Sequence, residues 1–297
     1  MKKIIIPNIE YIKKQHYDYC LSDSDILSVT NNLSEEQRKL LFIEKPFDFS
    51  RENCLSLKYN FINKFPHDYF SILIKKYNKF RTAKNKKKWC GTQFIESLNI
   101  DVCPYCGMSY FSVVKKKRQN EYIYIAEATL DHYLPKEKFP YLALNLYNLI
   151  PSCSACNTLY KTTDGRKIIN PYFNAVEDCI KFKLDSDDII NVVIHNKNIN
   201  KIILENLCNN SNMFEYVDNH IEVLNLVNRY NKRTNIAKSL IKKKFWYDNV
   251  FINQLKNLDI GISECEFEDF IIKQDLYNSN EPFAKYKKDV WRQIQYN

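Results

Sequence analysis

Two short cysteine pairs constrain this chain more than any other feature. Cys103-Pro-Tyr-Cys106 and Cys153-Ser-Ala-Cys156 are both C-x2-C turns, and residues 107–152 lie between them. A C-x2-C turn aims two thiolates at a common point about 2.3 Å away, and a tetrahedral Zn2+ takes four such ligands. The two pairs predict one four-cysteine zinc site, closed to further ligands and therefore structural. A redox C-x-x-C needs only one pair, in thioredoxin-like surroundings that this sequence lacks. The other six cysteines, Cys20, Cys54, Cys90, Cys179, Cys208 and Cys265, are singletons. Each reads as a small buried hydrophobe, with Cys90 the nearest to the quartet in sequence.

Ten cysteines also bear on compartment, because a reducing cytoplasm favours metal sites and buried thiols over a disulfide framework. Lys2-Lys3 is followed by only Ile4–Ile6 before Pro7, too short for a signal peptide. No run approaches the roughly 18 apolar residues of a membrane span. The expectation is a soluble, cytoplasmic protein with no membrane partner. Its 297 residues allow one large domain or two modest ones.

The net charge is +9, and its distribution says more than its total. Between Lys75 and Arg118 stand twelve Lys/Arg against two acids, Glu96 and Asp101. Such a concentration suits a polyanionic partner, nucleic acid above all; a solvated lysine-rich surface is the competing reading. Lys86, Lys87 and Lys88 are candidate phosphate contacts, or a solvated helix end. Tyr122 and Tyr124 offer faces for base stacking, although strand tyrosines more often pack. No P-loop or other Gly-rich phosphate cradle is present, which argues against ATP hydrolysis by this chain.

The first hundred residues read as mostly helical. Ser34-Glu35-Glu36-Gln37 is a capping-box pattern, residues 67–80 carry a broad apolar stripe, and a short helix is expected over 91–99. Residues 108–114 and 121–127 read as a β-hairpin with a charged tip at 115–120. Residues 186–204 predict a strand or two, 219–257 a helical hairpin and 264–296 two more helices. The fold class expected is α+β. It comprises an N-terminal helical region (1–90), a zinc-bearing core (91–175) and a C-terminal strand-plus-helical region (176–297).

The zinc pairs enclose Leu130-Asp131-His132-Tyr133-Leu134-Pro135-Lys136 and Asn148-Leu149-Ile150-Pro151-Ser152, with Asn157 and Lys161 just beyond. Hydrolysis of a phosphodiester needs a base to activate water and a cation to stabilise charge on phosphate. Asp131 and His132 are neighbours on an expected strand, so they face opposite sides. For both to serve one phosphate, the strand must bend.

This string, followed by Asn170-Pro171-Tyr172, resembles the HNH (ββα-metal) endonuclease family in its zinc-stapled four-cysteine form. It is similar in particular to bacterial anti-phage defence nucleases such as the nuclease subunit of Septu-type systems. The resemblance covers residues 103–172, with a weaker similarity over 222–256, and does not reach residues 1–90. It implies a β-hairpin and helix gripping one divalent ion. Asp131 would be the metal-binding acid and His132 the general base. Asn148 would pin the loop between the strands, and Asn157 would be the second metal ligand. Lys161 would touch the phosphate or stabilise the leaving group. Relatives with an acid two residues before the Asp-His pair differ from this chain, which has Thr129 there. Asn157 stands where a histidine is an alternative, which favours Mg2+ or Mn2+. The implied activity is metal-dependent cleavage of nucleic acid, with DNA ahead of RNA and room for an ATPase partner subunit. The competing reading is a zinc-stabilised nucleic-acid-binding module that does not cut. His16, His67, His195 and His220 have no metal-spaced partner and read as ordinary core or surface histidines.

Overall fold

The computed structural model describes residues 1–46, 59–66, 68–83, 88–118, 121–162, 164–246, 254 and 280–295. It mixes helices with three two-stranded antiparallel sheets, an α+β architecture. The chain divides into two compact units built from discontinuous stretches.

One unit comprises residues 4–100 and 111–165. It opens with helices α1 (Ile9–Ser22), α2 (Ser24–Thr30) and α3 (Glu35–Phe42). Asp23 caps α2 by accepting from the backbone of Asp25 and Ile26. At α3 the capping box is complete: Gln37 N donates to Ser34 Oγ, and Ser34 N donates to Gln37 Oε1. Helix α4 (Ser71–Thr82) buries Leu73, Tyr77 and Phe80, an i, i+4, i+7 stripe. Its Lys76 is also buried and is neutralised by Asp23 and Asp25 at 2.6 Å. Helix α5 (Gly91–Ser97) completes the layer with Phe94 and Ile95. The core gathers Ile12, Ile26, Leu41, Phe42, Leu73 and Phe94.

The same unit holds two hairpins. Strands β1 (Val113–Arg118) and β2 (Glu121–Ala126) pair from Val113↔Ala126 to Arg118↔Glu121. Lys115, Lys116, Lys117 and Arg118 thus lie within β1 and not in the hairpin tip, because each has a cross-strand partner. Strands β3 (Thr129–His132) and β4 (Leu149–Ser152) pair from Thr129↔Ser152 to His132↔Leu149. Pro151 is tolerated in β4 because a two-stranded sheet leaves one side of each strand without ladder bonds.

The second unit comprises residues 1–3, 101–110 and 166–297. It contains helix α6 (Val176–Cys179), strand β5 (Ile180–Leu184), helix α7 (Ser186–His195) and strand β6 (Ile202–Asn206). Helices α8 (Ser211–Val223), α9 (Leu226–Asn231), α10 (Thr234–Trp246) and α11 (Ala284–Gln295) follow. Helix α11 lies against β5 and supplies polar side chains to its backbone. Asp289 accepts from Phe182 N, and Gln293 both accepts from Leu184 N and donates to Leu184 O. Phe182, Tyr230 and Tyr286 pack as a ring cluster with centroids 4.4–5.5 Å apart.

Residues 186–195 are a helix, against the expectation of a strand. Asp185 caps it by accepting from Asp187 N, and Asp188, Ile189 and Val192 form a buried stripe. Cap and periodicity outweigh the β-propensity of the Ile and Val run. The expected strand exists only as β6. Of the helices expected over 264–296, α11 is described, and residues 264–279 lie outside the described residues. Among the described residues no helix is long and apolar enough to cross a membrane.

Candidate functional site: a four-thiol cluster and the β3–β4 hairpin

The first cysteine pair sits on a tight knuckle. Cys103 N donates to Ser109 O, Gly107 N to Cys103 O, and Met108 N to Cys106 Sγ at 3.5 Å. Gly107 closes it at φ +63°, in the left-handed region where a side chain is strained, and an added Cβ would lie 2.9 Å from Met1 Cγ. Two side chains hold the knuckle from behind. Tyr230 donates its hydroxyl to Cys106 O at 2.8 Å, and His220 Nε2 bonds Tyr105 O at 2.9 Å. Burial pushes His220 down to about 4, so its ring is neutral and its Nε2 donates.

The second pair begins where β4 ends. A π-helix over Ala155–Lys161 follows, its wide turn marked by the Thr162 N to Asn157 O bond. The sulfurs of Cys103, Cys106, Cys153 and Cys156 all lie within 4.8 Å of one another, and all four residues are buried. Four thiolates around one Zn2+ stand about 3.8 Å apart, the edge of a tetrahedron with 2.3 Å Zn–S bonds. The donor set fits a zinc ion and leaves no coordination position open. Of the other cysteines, Cys20, Cys90 and Cys179 are buried and Cys208 is half-buried; Cys54 and Cys265 lie outside the described residues.

Strand β3 alternates as its period of two requires. Thr129 and Asp131 face the π-helix, whereas Leu130 and His132 face the helical layer. On the first face Asn157 Nδ2 donates to Thr129 Oγ1 at 3.0 Å, and Thr129 in turn donates to Ser152 O. Asn157 makes this bond through its amide nitrogen, and its carbonyl oxygen is a hard donor of the kind a divalent ion takes. Lys161 Nζ lies 3.1 and 3.0 Å from the two Asp131 carboxylate oxygens and donates to His132 O at 2.7 Å. Both side chains of that ion pair are about 5% exposed. The structure therefore gathers Asp131, Asn157 and Lys161 on one face.

His132 stands apart from that group. Its Nε2 bonds Ala143 O at 2.9 Å, and its ring meets Tyr77 edge-on at 4.2 Å. A carbonyl only accepts, so Nε2 carries the proton and Nδ1 keeps its lone pair. Burial pushes the imidazole down to about 4, despite the favourable carbonyl bond, so the ring is neutral at pH 7. Strand β3 continues its ladder past His132 through the Tyr133 N to Asn148 O bond.

Asn148 is fully buried and ties the connecting loop at three points. Its Oδ1 accepts from Leu134 N at 2.7 Å, and its Nδ2 donates to Leu134 O and Leu142 O at 3.1 Å. Around it, residues 142–145 are almost wholly enclosed, and each is held by a different part of the unit. Leu142 O goes to Asn148, Ala143 O to His132 and Leu144 O to His16, while the Asn145 amide goes to Leu40 O and Glu44 O.

Sequence reasoning gave Tyr77, His16 and Asn145 no part in the site. Tyr77 donates its hydroxyl to Leu130 O at 2.6 Å while its ring supports His132. Tyr77, His16 and Asn145 all reach partners more than 50 positions away, and no local motif marks them. Lys88 is exposed, and Lys86 and Lys87 lie outside the described residues. Among the isolated histidines His16 and His220 are buried and His195 is exposed; His67 lies outside the described residues.

No family model matches the chain, and no solved structure matches it. Over 54 residues, 18% of its length, the chain is 43% identical to the Septu protein PtuB of Bacillus thuringiensis. The matching stretch is 21% of that relative, so the chain spans about a fifth of its length.

Proposed function

We propose that this chain is a metal-dependent endonuclease of the HNH type that hydrolyses nucleic-acid phosphodiester bonds in phage defence. The observation that carries the reading is the grouping of Asp131, Asn157 and Lys161 on one face of β3, in a strand–strand–helix order beginning at β3. The partial similarity to a Septu protein supports the defence role. Structural Zn2+ would be held by Cys103, Cys106, Cys153 and Cys156. Asp131 and the carbonyl oxygen of Asn157 are hard donors that suit Mg2+ or Mn2+, ions that keep several waters and need few protein ligands. Such an ion would supply charge stabilisation at the phosphate.

The chain's own groups have distinct tasks in this reading. His132, neutral with a lone pair on Nδ1, is in the protonation state of a general base. Tyr77 and Ala143 O orient its ring, and Asn148 fixes the loop that presents Ala143. Lys161 neutralises Asp131 in the structure and would be released toward phosphate when a divalent cation takes its place. The lack of a nucleotide-binding motif is compatible with an ATPase partner subunit.

A second reading is favoured by one observation: Lys161 is paired with Asp131 while His132 points to the opposite face. It is a zinc-stabilised nucleic-acid-binding module that does not cut. The test is to incubate the purified chain with plasmid, linear duplex, single-stranded DNA and tRNA, each with Mg2+, Mn2+ or EDTA. Cleavage that needs a divalent ion and disappears in His132→Ala supports the nuclease. Binding without cleavage under every condition, or cleavage that persists in excess EDTA, rejects it.

A further inference from the structure

We infer that the β1–β2 ribbon is an arm that enters the major groove of B-form DNA and contacts phosphates on both sides of it. The inference takes its polyanion from the nucleic-acid reading above, but it concerns binding and not cleavage.

The ribbon is a two-stranded sheet, and among the described residues neither long edge has a further strand beside it. Strand β1 reads Val-Val-Lys-Lys-Lys-Arg, and its last four positions are all exposed cations. Alternation divides them between the two faces. One face carries Lys115 and Lys117 with Tyr122 and Tyr124 opposite them, and the other carries Lys116 and Arg118, whose cross-strand partners are Ile123 and Glu121. Lys115 Nζ lies 3.9 Å from the centroid of the Tyr122 ring, which is itself 55% exposed. Among the described residues no carboxylate pairs with Lys115, Lys116 or Lys117. Glu127 at the ribbon's base is already engaged, accepting from both N and Oγ of Ser112.

Dimensions decide which polyanion fits. Six residues at about 3.3 Å each give a ribbon roughly 20 Å long. The B-DNA major groove, about 12 Å wide, admits a two-stranded ribbon, with phosphate rows on either side. Cations on both faces match two phosphate rows, whereas a single basic face would suit a surface contact. The A-form RNA major groove is too deep and narrow for this insertion. The arm is also joined to the candidate site, since only residues 127 and 128 separate β2 from β3. A cleft of about 460 Å3 lined by Arg81, Tyr124, Ala128 and Thr129 runs from the ribbon base to the first residue of β3.

Lysines on exposed strands also guard against edge-to-edge aggregation, so the test must separate the two roles. The full-length chain is titrated in EDTA onto a short labelled DNA duplex, the matching RNA duplex and single-stranded DNA, over a range of salt concentrations. For the DNA duplex, Lys115→Ala/Lys116→Ala/Lys117→Ala should lower the slope of log affinity against log salt by about 2.7, roughly 0.9 per lost phosphate contact. The corresponding triple arginine variant should keep the slope. Lys115→Gln and Lys116→Gln, one on each face, should each remove about 0.9, which keeps the test open if the triple alanine variant fails to fold. The RNA duplex should lose little. An unchanged DNA slope, an equal loss on RNA, or a loss from one face only would overturn the proposal. A triple variant that self-associates with its slope intact would assign the lysines to edge protection and also overturn it. Cleavage failing while these slopes behave as expected would reject the nuclease reading alone.

Discussion

Acidification should loosen the loop behind the candidate site, and His16 provides a measurable part of that effect. His16 is completely buried; its Nε2 bonds Leu144 O at 2.6 Å, and its Nδ1 accepts from Trp89 Nε1 at 3.1 Å. Only the neutral ring with a proton on Nε2 satisfies both partners. Burial lowers its pKa from 6.5 to about 4. Between these values the unfolded chain binds a proton that the folded unit refuses, so stability is complete above about pH 6.5 and falls as pH drops toward 4. A gap of about 2.5 units at 1.36 kcal/mol per unit sets a ceiling near 3.4 kcal/mol. Linkage assigns about 2 kcal/mol of that loss to the interval from pH 7 to 5. The assay is urea unfolding followed by tryptophan fluorescence, for wild type and His16→Gln, at half-unit steps of pH. The stability difference between the two proteins should narrow by about 2 kcal/mol from pH 7 to pH 5. A difference that stays constant across this interval would refute the argument, because a residue that titrates identically folded and unfolded cannot change it.

Removing zinc, or replacing Cys103 or Cys156 with Ser, should lower stability severely, because metal binding is part of the folding free energy; elemental analysis of protein prepared without chelators should give about one zinc per chain. Lys161→Met removes the ammonium from the buried Asp131–Lys161 ion pair and should cost about 3–5 kcal/mol, with Mn2+ restoring part of the loss in a thermal melt; a melt unaffected by Mn2+ would remove Asp131 as a metal ligand. Asn148→Ala strands three backbone partners and should cost about 3 kcal/mol at roughly 1 kcal/mol per bond, read by chemical denaturation. His132→Ala should reduce cleavage by about 10²–10⁴ with little change in nucleic-acid affinity, since a general base acts on the transition state; Tyr77→Phe should lower it less, through loss of the bond to Leu130 O.

Features governed by neighbours in sequence were legible without a structure. The Ser34 capping box needs only an i, i+3 relation, and it forms as read. Each C-x2-C turn is equally local, and its chemistry requires a matching pair elsewhere, so two such pairs implied one meeting point; the four buried sulfurs do gather. Alternation along β3 likewise fixed that Asp131 and His132 face opposite ways. Local reasoning failed at 186–195, where a run of Ile and Val has strand propensity, yet the Asp185 cap and a helical stripe prevail. It also placed Lys115–Arg118 in a hairpin tip, because charge alone does not reveal which residues have cross-strand partners. What only the tertiary structure decided is what surrounds the acid and the imidazole. Lys161 lies 30 residues from Asp131, Tyr77 is 53 from Leu130, and His16 is 128 from Leu144. No sequence period links such positions. Desolvation holds the His16 and His132 rings neutral, and it depends on which distant side chains close over a group once the chain has packed.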